Sequence, residues 1–67
     1  MSKTIRRYDR AMRRASKRLH DVIQALEDAG NAACEVGDDA RGTDLWMRSS
    51  EVGALSGRLS NDYGPFR

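Results

Sequence analysis

Residues 4–36, TIRRYDRAMRRASKRLHDVIQALEDAGNAACEV, decide the fold of this 67-residue chain. Within them Ile5, Tyr8, Met12, Ala15, Leu19, Val22, Leu26, Ala29, Ala33 and Val36 recur at alternating steps of three and four without a slip. A strand would place apolar residues at every second position; this rhythm keeps them on one stripe of a helix, a heptad seam with Ile5 at position a. The stretch is rich in Ala, Leu, Arg and Glu and lacks proline, and Ser2 or Thr4 offers a hydroxyl to cap the first orphan amides. One helix over about residues 3–36 follows. Its soft point is Gly30-Asn31, where glycine costs about 1 kcal/mol relative to alanine, so a kink at Gly30 stays open. Gly37-Asp38-Asp39 is the better stop.

Beyond that stop, residues 37–42 (Gly-Asp-Asp-Ala-Arg-Gly) read as a polar turn. Thr43 reads as an N-cap with Asp44 at the positive end of the helix dipole, opening a second helix over about residues 44–61. Leu45, Val52, Leu55 and Leu59 keep the three-four rhythm, Arg48 fills the missing position, and Trp46 and Met47 flank the seam. Ser49, Gly53, Ser56, Gly57 and Ser60 give this helix a side of small residues, a place for another helix backbone to come close. Two amphipathic helices on a short connection form an antiparallel hairpin. The expected fold is all-α, one domain over residues 1–67, with residues 62–67 as a tail whose Tyr63 and Phe66 fold back over exposed seam.

The two helices differ in length. The first spans roughly 50 Å and the second roughly 28 Å, so the second reaches back only to about His20 and leaves Ile5, Tyr8, Met12 and Ala15 without an intrachain partner except the tail. A chain below about 70 residues rarely draws more than ~3–5 kcal/mol from its core and usually adds disulfides, a metal or oligomerisation. Cys34 has no second cysteine, and one Cys with His20 cannot build a structural zinc site, so no metal or cofactor is expected. Oligomerisation or docking on a partner is left. Charge says how: residues 3–18 carry eight basic groups and Asp9, net +7, whereas residues 19–36 carry Asp21, Glu27, Asp28 and Glu35, net −4. An antiparallel homodimer sets each basic half beside the other copy's acidic half and gives a dimeric helical bundle; parallel pairing stacks like on like.

The basic groups form a stripe. Arg6, Arg7, Arg10, Arg13, Arg14 and Lys17 lie off the seam, within reach of one phosphate backbone. No recognised nucleic-acid motif accompanies them, and a basic helical face also serves to stay solvated. The ten arginines against two lysines fit a GC-rich genome as well as selection for bidentate phosphate contacts. A membrane role is disfavoured: the apolar edge beside the stripe is thin, and no uninterrupted apolar run approaches the ~18 residues a span needs. The lone cysteine agrees with a cytoplasmic chain.

Catalysis finds no support. His20, Gln24 and Glu27 are spaced by helical turns but are too few as ligands, Ser49 and Ser50 lack a positioned base, and two helices do not readily enclose a water-excluding site. The leading expectation is therefore a non-enzymatic interaction module that self-associates and docks on a partner protein through Ile5, Tyr8, Met12 and Trp46. The alternative is nucleic-acid binding through Arg6, Arg7, Arg10, Arg13, Arg14 and Lys17.

Overall fold

The computed structural model describes residues 2–63. Helix α1 runs Lys3–Glu35 and helix α2 runs Asp39–Asp62. They pack along one another as an antiparallel hairpin, and the described residues contain no strand. Ser2 caps α1, its hydroxyl accepting from the Ile5 amide at 3.1 Å, and the helix passes through Gly30 without interruption. It ends where glycine can take a left-handed backbone: Gly37 has φ +91. The Gly37 amide donates to the Cys34 carbonyl at 3.0 Å and the Asp38 amide to the Ala33 carbonyl at 2.9 Å, the paired bonds of a Schellman stop.

Asp38 closes one helix and opens the next. Its carboxylate accepts from the Arg41 amide at 3.1 Å and pairs with the Arg41 guanidinium at 3.3 Å, and Asp39 sits in the first turn at the positive end of the dipole. The expected start of the second helix at residue 44, capped by Thr43, is thus corrected by a full turn: residues 39–43 are helical. Gly42 misled the sequence reading because glycine usually breaks helices. Here it lets two backbones meet: a Cβ on Gly42 would run into the Cys34 sulfur and lie 2.8 Å from the Gly30 carbonyl oxygen. A Cβ on Gly30 would lie 2.5 Å from Nε1 of Trp46.

Because α2 has 24 residues rather than about 18, it extends roughly 36 Å at 1.5 Å per residue. It therefore reaches well past His20, and the predicted overhang is corrected with it. The Tyr8 hydroxyl donates to the Tyr63 carbonyl at 3.3 Å, joining the two helices at their open end. The covering role expected of Phe66 falls outside the described residues.

The contact stripe is also rotated from the predicted seam. Ile5, Met12, Leu19, Leu26 and Ala33, all at heptad position a, are buried or half-buried as expected. Ala15, Val22, Ala29 and Val36, at position d, are exposed, and Ile23 and Gly30, at position e, face α2 instead. An a/e stripe is turned by about 50° from an a/d stripe. On α2 the buried line runs through Gly42 and Ser49, with Leu45, Val52, Gly53, Ser56 and Leu59 half-buried.

The result is one layer. The Cα extents are 54 × 17 × 9 Å and the radius of gyration is 15.8 Å, where a compact chain of this length has about 11 Å. Among the described residues no side chain is fully buried, and Ala33 is the one buried hydrophobic residue.

Candidate functional site

Two helices side by side present two broad faces. On one of them the buried Ser49 hydroxyl donates to the Ile23 carbonyl at 3.4 Å and stands 3.5 Å from the Glu27 carboxylate, and the Trp46 indole lies over Gly30. Toward the open end this side holds a groove of about 370 Å³ lined by Tyr8, Asp9, Met12, Arg13, Ser16, Ser60 and Tyr63. Tyrosine rings and a methionine supply its apolar walls, and one carboxylate and one guanidinium supply its charge. Oδ1 of Asp9 is shielded from solvent with no hydrogen-bond partner.

Of the residues singled out from the sequence, Tyr8 and Met12 meet in this groove, and Ile5 is half-buried one to two turns nearer the end of α1. Trp46 does not join them. It sits against Gly30, roughly 27 Å along the helix axis from Met12, and remains 41% exposed. Tyr63 meets the seam at Tyr8 as expected of the tail, whereas Ser60 as part of the groove's wall was missed because a shorter α2 could not reach it; the signal that would have found it is Asp38 as a helix cap.

The basic stripe is open. Arg6, Arg7, Arg10, Arg13, Arg14 and Lys17 are all exposed, and among the described residues the ion pairs involve only Arg41 and Arg48, both on α2. Arg6, Arg10 and Arg13 line a second hollow of about 310 Å³ together with Asp9.

The opposite broad face carries an apolar row flanked by charge: Arg18 lies about 40° round α1 from Val22 and Arg48, paired with Asp44 and Glu51, about 20° round α2 from Leu55. Glu27 lies about 140° round α1 from Val22, and Leu55 lies half a turn round α2 from Trp46, so Val22 and Leu55 point away from the grooved side. Val22 is 44% and Leu55 42% exposed. Ala15, Ala29 and Val36 continue the exposed row on α1.

Cys34 is half-buried beside the turn. Burial pushes its thiol above the ordinary value of 9.0, helped by the negative charge of Asp39, a hydrogen bond to it, and the charge of Asp38. The thiol is protonated at neutral pH and a poor nucleophile. Among the described residues no three His, Cys, Asp or Glu side chains converge as metal ligands, and no helix is long and apolar enough to cross a membrane. No protein-family model, no curated protein and no solved structure matches the chain.

Proposed function

We propose that this hairpin is a non-enzymatic interaction module of the cytoplasm that self-associates and docks on a partner protein. The observation that carries the reading is its thinness: a layer 9 Å thick between Cα extremes leaves both broad faces of the described helices open, and the apolar side chains on them gain from cover that the described residues do not provide. The partner's place is the groove at the open end. Tyr8, Met12 and Tyr63 give it apolar walls suited to a helix or an extended segment, and Asp9 and Arg13 give it charges that fix orientation. Ile5 extends this surface, and Trp46 is a second anchor nearer the turn.

Immobilised protein exposed to nuclease-treated lysate of the native host tests the reading. The expected result is recovery of one defined protein by the wild type and its loss with Met12→Asp, helical content being unchanged by circular dichroism. Recovery of nothing but nucleic acid before nuclease treatment overturns it.

One observation favours a second reading, nucleic-acid binding through Arg6, Arg7, Arg10, Arg13, Arg14 and Lys17. These cations are exposed and unpaired among the described residues, so they would release counterions on meeting phosphate without first breaking an internal ion pair. Binding of this kind falls steeply with salt and loses close to one unit of salt slope per arginine removed. Docking in the Tyr8 groove responds far less to salt.

A further inference from the structure

We propose that the broad face opposite the groove, with its apolar row Ala15, Val22, Ala29 and Leu55, is covered by a second copy of this chain, laid antiparallel with α1 upon α1 and the two-fold axis beside Val22. The proposal rests on the interaction-module reading and gives it a surface, an occupant and a register.

Area comes first. The accessible surface is 5504 Å², whereas a compact monomer of 7.5 kDa exposes about 4,200 Å². A stable interface takes about 800 Å² from each partner. One broad face is 17 Å wide between Cα extremes, and matched about Val22 the first helix overlaps its copy over residues 9–35, about 39 Å, a footprint of roughly 660 Å² that lies within the range of about 600–1,000 Å² per partner for a stable interface. Stacking two such layers yields four helices around one core, in which the half-buried Leu19, Leu26, Val52 and Leu59 are closed in from the side now open.

Charge selects the orientation. Along the hairpin, residues 2–18 and 55–63 together form the open end, and their eight basic groups of α1 with Arg58 against Asp9 and Asp62 give net +7. Residues 19–54 form the turn end, where eight acids against Arg41 and Arg48 give net −6. Face-to-face copies with turns together would crowd like charges. With turns at opposite ends each positive end lies on a negative one, and the symmetry of that arrangement stacks α1 on α1 and α2 on α2.

Spacing then sets the register. Position d of α1 is occupied at Tyr8, Ala15, Val22, Ala29 and Val36, five residues placed symmetrically about Val22. An antiparallel copy matched at Val22 sets Ala15 against Ala29 of the second copy, small on small, and Val22 against itself. Val52, opposite Val22 across the hairpin, falls near the same axis. Of these d residues Ala15, Val22, Ala29 and Val36 are exposed and left unused by α2, whereas Tyr8 is engaged by the Tyr63 carbonyl. One chain thus carries two adjoining edges on α1: an a/e edge for its own second helix and a d edge for another molecule.

The test is cysteine cross-linking in the full chain with Cys34→Ser as background. Under mild oxidation Val22→Cys is expected to form a covalent dimer at least tenfold faster than Met47→Cys, which is exposed on the outer side of α2. Light scattering of the unmodified protein at about 100 μM is expected to give twice the chain mass, and Val22→Asp half of that. Cross-linking that requires Val22→Cys and Val52→Cys together would mean α1 on α2 and overturns the orientation. A dimer by scattering with no acceleration at Val22→Cys overturns the face while the interaction-module reading stands. A folded monomer at every concentration overturns self-association altogether, leaving partner docking in the Tyr8 groove to be judged by its own capture experiment. Should Val22→Asp unfold, the cross-linking rates still decide.

Discussion

Three glycines that look alike in the sequence have different tasks. At Gly42 the neighbour that blocks a side chain is the backbone oxygen of Gly30, which cannot rotate aside, so an added methyl must push the helices apart. Gly53 has only the tip of Ile23, 4.0 Å from a would-be Cβ, and Gly57 has nothing within 4 Å. Alanine raises helix propensity by about 1 kcal/mol at each position. At Gly42 that gain is opposed by about 1–3 kcal/mol of overpacking. Gly57→Ala and Gly53→Ala are therefore expected to raise the urea midpoint, each by the equivalent of up to about 1 kcal/mol, and Gly42→Ala to lower it by up to about 2 kcal/mol. Equal stabilisation by Gly42→Ala and Gly57→Ala in the same titration would refute the close approach. The small-residue side of α2 was legible as a contact surface, and Ser49, Gly53 and Ser56 do face α1, while Gly57 and Ser60 are exposed. Which of them lies at the crossing was not, since that depends on the partner backbone, and the tightest point proved to be Gly42 with Gly30.

At the scale of the helix, stop and start share one residue. Asp38 accepts from the Arg41 amide and pairs with its guanidinium, while Thr43 is an exposed residue within the helix. Loss of an N-cap costs about 0.5–2 kcal/mol, so Asp38→Ala is expected to lower stability by that amount and Thr43→Ala to stay within about 0.5 kcal/mol of the wild type. Comparable losses for the two in one denaturation series would restore the later start. The existence of both helices, the stop at Gly37 and the hairpin follow from periodicity and composition, which act locally. The start of α2 did not, because a cap and a turn draw on the same residues. The contact edge of α1 did not either: with apolar or small residues at a, d and e, the stripe is wider than one neighbour can cover, and nothing local says which margin α2 takes. Hence Val22 rather than Ile23 reads as seam from sequence alone, and of the groove's second wall only Tyr63 is legible there.

For the whole molecule, the question is whether a layer of two helices is the unit that unfolds. No described side chain is fully buried, so the apolar contribution within one hairpin is small. If two copies unfold as one cooperative body, the midpoint depends on concentration, since dissociation into two chains is favoured by dilution. At about 0.7 kcal/mol per residue, the 134 residues of a dimer give an unfolding enthalpy near 94 kcal/mol, from which each tenfold rise in protein concentration is expected to raise Tm by about 5 °C. Calorimetry or circular dichroism melts from about 5 to 500 μM would therefore span roughly 10 °C for the wild type. Val22→Asp removes the central contact of the proposed interface and is expected to melt lower, at a Tm independent of concentration. Added salt is expected to lower the wild-type midpoint as well, because screening weakens the attraction between positive and negative ends, and to change the Val22→Asp midpoint less. A wild-type Tm constant across that range would mean that one hairpin is the cooperative unit, held by its a/e edge alone.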